Sequence, residues 1–154
     1  MIRVENIKKY FPIKDGFFNN KSGDVKAVEN VSFEIPEGEI LGLVGESGSG
    51  KSTLGRAIIR LIEPTQGNIF YKNKNITKLS DSEMRKLRKD FQIIFQDPYA
   101  SLDPRKKVFD IISQGLKIHT KMNKEEIYEK VKTIINDVGL QEEHLKRYPH
   151  EFSG

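Results

Sequence analysis

The chain has 154 residues, 31% of them charged and 36% hydrophobic, with a net charge of +4 and no cysteine. That length can bury one hydrophobic core, and the composition excludes a disordered tail, a fibrous repeat, disulfide staples and thiolate metal sites. No apolar run approaches the roughly 20 residues needed to span a bilayer, Met1-Ile2-Arg3-Val4-Glu5 lacks a signal peptide's apolar core, and the lysines are interspersed with acids, as in Lys124-Glu125-Glu126, so no nucleic-acid stripe is expected.

Arg3–Ile7 and Val31–Ile35 alternate apolar and polar residues, the period of half-buried strands, and are expected to pair antiparallel. The polar stretch Lys14–Lys26, with Gly16, Asn19, Asn20 and Gly23, reads as a loop or loose hairpin, and Pro36-Glu37-Gly38 as a turn. Ile40–Val44 is a continuous apolar run that suits a strand buried on both faces. Ser52–Ile62 reads as a helix with Leu54, Ala57, Ile58, Leu61 and Ile62 on one face. Ser80 and Glu83 have the spacing of a capping box, followed by an apolar strand at Phe91–Phe95 and a turn-rich loop from Gln96 to Pro104. From Val108 the chain reads as helical. Asn123 caps a helix whose face runs Ile127, Val131, Ile134, Ile135 and Val138, and Gly139 stands where a left-handed C-cap is favoured.

Gly45-Glu46-Ser47-Gly48-Ser49-Gly50-Lys51-Ser52 fits the phosphate-loop pattern and lies between the expected buried strand and an amphipathic helix. Glycines let the backbone fold tightly, so that successive N–H groups and the positive end of the following helix surround phosphate oxygens with donors. Lys51 neutralises the β and γ phosphates, and the Ser52 hydroxyl is a ligand for the Mg²⁺ that accompanies ATP. His119, His144 and His150 lack metal-ligand spacing and are assigned no chemistry. No Ser/His/Asp or paired-carboxylate arrangement suggests an independent hydrolase.

The strings Val44–Thr53, Glu63-Pro64-Thr65-Gln66-Gly67, Ile94-Phe95-Gln96-Asp97-Pro98 and Glu151-Phe152-Ser153-Gly154 stand in the order found in ATP-binding-cassette (ABC) ATPases, and the resemblance covers essentially the whole chain. Phe11-Pro12-Ile13-Lys14, Gln96–Arg105 and Arg147–Gly154 resemble the ATP-binding subunits of dipeptide and oligopeptide importers, and Leu54-Gly55-Arg56-Ala57-Ile58 resembles the second of their two paired ATPases. The resemblance implies an α/β fold: a P-loop NTPase core with an N-terminal antiparallel β part and a helical subdomain, divided as residues 1–96 and 97–154. It implies nucleotide contacts from Gly45 through Thr53, with Phe11 stacking on adenine and Tyr10 as the alternate ring. It implies that Gln96 reaches Mg²⁺ or the attacking water, and that Ser153 and Gly154 begin a signature motif facing the γ-phosphate held by a second ATPase subunit. Further implied partners are transmembrane permease subunits, which hold the ATPase at the cytoplasmic face of the membrane, and indirectly a peptide-binding protein.

Family members continue beyond the position of Gly154, so the chain is expected to be truncated inside the signature motif, without the C-terminal half that carries the Walker B carboxylates and the switch histidine. Ile134-Ile135-Asn136-Asp137 superficially resembles Walker B, but its apolar residues fit the helix opened by Asn123. The full-length protein is expected to hydrolyse ATP, and this fragment to bind it with little turnover and to expose apolar surface. A soluble ABC ATPase with a non-transport role, or a nucleotide-binding remnant without catalysis, are the alternative readings.

Overall fold

The computed structural model describes residues 1–15 and 20–152. It contains two compact units, Met1–Met84 and Arg85–Gly154.

The first unit is built on a four-stranded antiparallel sheet of order β2-β1-β3-β4, with β1 at Ile2–Asp15, β2 at Asn20–Ile35, β3 at Gln66–Tyr71 and β4 at Lys74–Asn75. β1 and β2 pair as expected, with Ile2 opposite Ile35 and Val4 opposite Phe33. The pairing runs on through Phe11 opposite Val25 and Ile13 opposite Gly23, so in its described residues the stretch read as a loop or loose hairpin is the outer part of a long, paired hairpin ribbon. Residues 16–19 at its turn lie outside the described residues. β3 pairs with β1 only as far as Lys8 opposite Gln66. Beyond Lys8 the ribbon is therefore an edge, where the missing N–H of Pro12 is tolerated.

Helix α1, Lys51–Ile58, packs against β1 and β2. Its Leu54 and Ala57 join Val4, Ile7, Val28, Ile69, Ile76 and Met84 in the core of this unit. The helix is shorter than the expected Ser52–Ile62. Arg60 takes a left-handed φ of 51°, and Leu61 donates its N–H back to the Arg56 carbonyl, closing a Schellman-type C-terminus without glycine. Arg60 is held there by its buried guanidinium, which donates to the carbonyls of Ile76 at 2.7 Å and Leu79 at 2.9 Å and pairs with the Glu63 carboxylate. The expected capping box opens α2, Asp81–Leu87, with the Ser80 N–H on Glu83 Oε2 and the Glu83 N–H on Ser80 Oγ.

Two expected strands do not form. Ile40–Val44 and Phe91–Phe95 have no regular assignment, and Ile40, Val44 and Ile94 are 96%, 95% and 90% exposed. An apolar run becomes an interior strand only when hydrogen-bonding neighbours flank it and layers cover both faces. Among the described residues no strand pairs with either run.

In the second unit, α3 (Val108–His119) and α4 (Lys124–Asp137) pack through Val108, Phe109, Ile112 and Leu116 on one side and Ile127, Val131 and Ile135 on the other, with Leu145 completing the core. Asn123 caps α4 in a reciprocal box with Glu126, and Gly139 ends it at φ 78° with the Leu140 N–H on the Ile135 carbonyl, both as expected. Ile134–Asp137 is helical, as expected for a sequence that only mimics Walker B.

Gly67 marks the tightest crossing in the sheet. Its φ is +95°, and a Cβ there would sit 2.5 Å from the Asn6 carbonyl oxygen and 2.6 Å from that of Glu5, both backbone atoms of the central strand. Gly67→Ala is expected to destabilise the protein by about 2–3 kcal/mol. Gly55→Ala, inside α1 with nothing beyond the local helix backbone within 4 Å of the new methyl, is expected to be neutral or slightly stabilising. Urea unfolding of the two variants checks the pair.

Candidate nucleotide-binding site

Residues 45–50 form an irregular turn in which Gly48 and Gly50 have φ of 82° and 91°. Gly50 is the N-cap of α1, and it has no side chain for two reasons at once. Its conformation is left-handed, and a Cβ would lie 2.1 Å from the carbonyl oxygen of Ala27 on β2. The loop thus backs directly onto the β1–β2 ribbon. No side chain caps α1 and its first turn holds no acidic residue, so its N–H donors and positive end are left to an anion from outside.

Lys51 folds back into the loop. Its ammonium donates to the carbonyl oxygens of Gly45 at 2.6 Å and Glu46 at 2.5 Å and to Ser49 Oγ at 3.2 Å. The Ser49 N–H closes the turn on the Glu46 carbonyl. A cation is thereby held among the loop's own carbonyls beside the helix N-terminus. Ser52 is exposed on the first turn, Thr53 is half-buried, and Glu46, Ser47 and Ser49 are exposed.

The two candidate rings on β1 have opposite environments. The Tyr10 hydroxyl is hydrogen bonded to Glu29 Oε1 and Oε2 at 2.8 and 2.7 Å, and the Lys26 ammonium lies 5.7 Å from its ring centroid. Lys8 and Lys26 also pair with Glu29. Phe11 is 41% exposed, with exposed Val25 opposite it and exposed Ile13 two residues along. It carries one polar neighbour of note, the Lys9 ammonium 5.0 Å from its centroid. Lys8, Lys9, Glu29 and Arg60 were not singled out by the motifs. The only signal for Lys9 is period two, which places it on the face of Phe11.

In the second unit Gln96 is exposed at the head of consecutive turns. The Ala100 N–H donates to Asp97 Oδ1, the Ser101 hydroxyl and N–H to the Pro98 carbonyl, and Arg105 clamps Asp103 through its backbone N–H and guanidinium. The Asp103 carboxyl is held below its ordinary range by the Arg105 guanidinium. Tyr99, Leu102, Leu140, Pro149 and Phe152 line an apolar cleft of about 370 Å³ beside these turns. His144 accepts the Gln141 N–H and packs its ring at a tilt against Phe152, a structural use of the side chain. Ser153 and Gly154 lie outside the described residues.

The sequence model of the ABC transporter family matches residues 28–154, most of the chain and all of the loop described above. The chain belongs to the ABC transporter family. It is 50% identical over 155 aligned residues to the oligopeptide transport ATP-binding protein AppF of Bacillus subtilis, covering all of this chain and 47% of that protein. It is 48% identical to the glutathione import ATP-binding protein GsiA of Escherichia coli O157:H7, covering all of this chain and 25% of that protein. The chain thus spans about half the length of one relative and a quarter of the other. Its fold matches the dimeric post-hydrolysis state of the ATP-binding cassette MJ0796 bound to ADP and Pi, with a TM-score of 0.81 at 27% identity over 99% of this chain and 63% of that one. It also matches cbiO1 of Clostridium perfringens, part of the ABC transporter complex cbiONQ, with a TM-score of 0.70 at 28% identity over 99% of this chain and 55% of that one.

The ribbon that backs the loop carries a pH signature. The Tyr10 hydroxyl bond, aided by Lys8 and Lys26, holds the Glu29 carboxyl below its ordinary range, while the same bond raises Tyr10 and Glu29 raises Lys8. A depressed carboxylate stabilises the fold fully above the ordinary glutamate range and loses that contribution as pH falls through its folded value. The raised phenol and ammonium contribute below their ordinary ranges and lose it as pH rises through their folded values. Melting temperature should therefore fall on acidification less steeply in Glu29→Gln than in the parent, which thermal scans from neutral to acid pH check.

Proposed function

We propose that the protein carrying this chain binds Mg-ATP at Gly45–Thr53 and hydrolyses it to power import of peptides through an ABC transporter. The observation that carries the reading is the uncapped N-terminus of α1, set beside a loop whose Lys51 ammonium is preplaced and whose Gly50 admits no side chain. Such a site supplies N–H donors and one cation to adjacent phosphates. The relatives named for oligopeptide and glutathione import support the peptide as cargo class.

In this reading Lys51 moves from the loop carbonyls to the β and γ phosphates, and the backbone of Glu46–Gly50 donates to them. Ser52 and Gln96 offer a hydroxyl and an amide oxygen to the metal. A single serine hydroxyl is too weak a donor to retain Mg²⁺ alone, which suits an ion that arrives on the nucleotide. When bound with the nucleotide, Mg²⁺ would supply positive charge to offset the negative charge that develops on phosphoryl transfer. Phe11 stacks on adenine. It is favoured over Tyr10 because Phe11 is exposed, whereas Tyr10 is half-buried with its hydroxyl held by Glu29. Ser153 and Gly154 face the γ-phosphate bound to a second ATPase subunit. The helical region Val108–Arg147 grips a short helix of a permease subunit, which holds the protein at the cytoplasmic face of the membrane.

Lys51→Ala is expected to weaken Mg-ATP binding at least tenfold with the melting temperature of the unliganded protein nearly unchanged, because the half-buried side chain lies outside the core and its ammonium bonds only to loop residues Gly45, Glu46 and Ser49. Isothermal titration with Mg-ATP measures this. An unchanged dissociation constant would overturn the assignment of the loop.

A further inference from the structure

We propose that Lys9 is the positioning residue for the adenine-stacking ring, bracing Phe11 from one side so that its other face is presented to the base. The inference rests on the reading of Phe11 as that ring. Phe11 stands on a ribbon paired on one side only, 41% exposed, and its neighbours Ile13 and Val25 are themselves exposed. Packing therefore does little to fix its rotamer. The Lys9 ammonium does, from 5.0 Å above the ring centroid.

Lys9 is suited to this because its own position is determined at both ends. Its backbone sits at the irregularity of the ribbon, where Lys9 faces Val28 but Tyr10 faces Lys26. Its ammonium donates to the Glu63 carbonyl at 2.7 Å. Glu63 is in turn gripped through its carboxylate by Arg60 at 2.7 Å, and the Arg60 guanidinium is buried on the Ile76 and Leu79 carbonyls. Two more bonds tie the same loop to the same strand: the Thr65 N–H to the Lys8 carbonyl at 2.7 Å, and the Tyr10 N–H to Thr65 Oγ1 at 2.9 Å. A continuous chain of contacts therefore runs from the interior of the unit through Arg60, Glu63 and Lys9 to Phe11.

A phosphate-binding role for Lys9 fits the geometry less well. Its ammonium is engaged by a carbonyl and a ring face on the ribbon, whereas Lys51 is the cation beside the N-terminus of α1. Bracing one face of a phenyl ring leaves the opposite face for a flat, polarisable partner, and the adenine moiety of a nucleotide is such a partner. The role is confined to the base. It predicts an effect on ATP that is absent for a ligand made of phosphates alone.

The test compares dissociation constants for Mg-ATP and for magnesium tripolyphosphate in the purified protein and in Lys9→Met, Lys9→Arg and Phe11→Ala, with melting temperatures recorded for each. Lys9→Met is expected to weaken Mg-ATP about two- to fivefold, the size of an exposed cation–ring contact, and to leave tripolyphosphate unchanged. Lys9→Arg, which keeps the charge and a donor for the Glu63 carbonyl, is expected to restore Mg-ATP affinity. Equal weakening of both ligands by Lys9→Met would overturn the proposal, since it would make Lys9 a general electrostatic or structural contributor. If Phe11→Ala lowers the preference for Mg-ATP over tripolyphosphate and Lys9→Met does not, the reading of Phe11 stands and the role of Lys9 falls. If Phe11→Ala leaves that preference unchanged, the reading of Phe11 falls and the role of Lys9 falls with it.

Discussion

The first unit depends on one close approach, the backbone of Gly50 against the carbonyl of Ala27. It sets three things together: the position of the phosphate loop on the ribbon, the start of α1, and the exposure of that helix's first N–H groups. Because backbone atoms lie on both sides, the contact cannot be relaxed by a side-chain rotation. With α1 anchored by Leu54 and Ala57 in the core, the loop between is short enough to have little freedom. Lys51 then satisfies the loop's carbonyls from inside, so the fold holds a cation within the loop beside the N-terminus of α1.

A second constraint lies at the other end of α1. Arg60 adopts a left-handed conformation that costs an ordinary residue something of order 1 kcal/mol. Its buried guanidinium recovers this by satisfying two carbonyls and holding the Glu63 carboxylate. The helix C-terminus, the 76–79 turn and the loop into β3 are thereby locked to one another. The same lock supports the base of the ribbon through Lys9 and Thr65. The glycine-rich loop and the exposed ring of Phe11 are thus supported from opposite ends of a single eight-residue helix.

Much of the second unit follows from local rules. The α4 capping box at Asn123 and Glu126 and the glycine C-cap at Gly139 need only neighbours in sequence, and Ile127, Val131 and Ile135 need only a period near 3.6 to face one way. The turns after Gln96 are likewise local, each bond spanning two or three residues. The apolar cleft beside them is different in kind. It gathers Tyr99 and Leu102 with Leu140, Pro149 and Phe152, which no spacing rule connects.

Sequence by itself determined what depends on bonding distance along the chain: the phosphate-loop pattern, the caps, the hairpin-forming strands at Arg3–Ile7 and Val31–Ile35, and the helical nature of the Walker B mimic at Ile134–Asp137. It misread Ile40–Val44 and Phe91–Phe95, because a run of apolar residues states a preference for burial but supplies neither the neighbouring strands nor the covering layers that burial requires. It left β3 unread, and it extended α1 four residues too far, because Arg60 ends the helix through carbonyls sixteen and nineteen residues away. Tertiary structure alone decided that Gly50 must lack a side chain against Ala27, that Tyr10 is engaged while Phe11 is open, and that Lys9 stands over that ring. Each of these turns on a contact between residues far apart in sequence or on which face of a strand survives a bulge, and neither is written in any short string of residues.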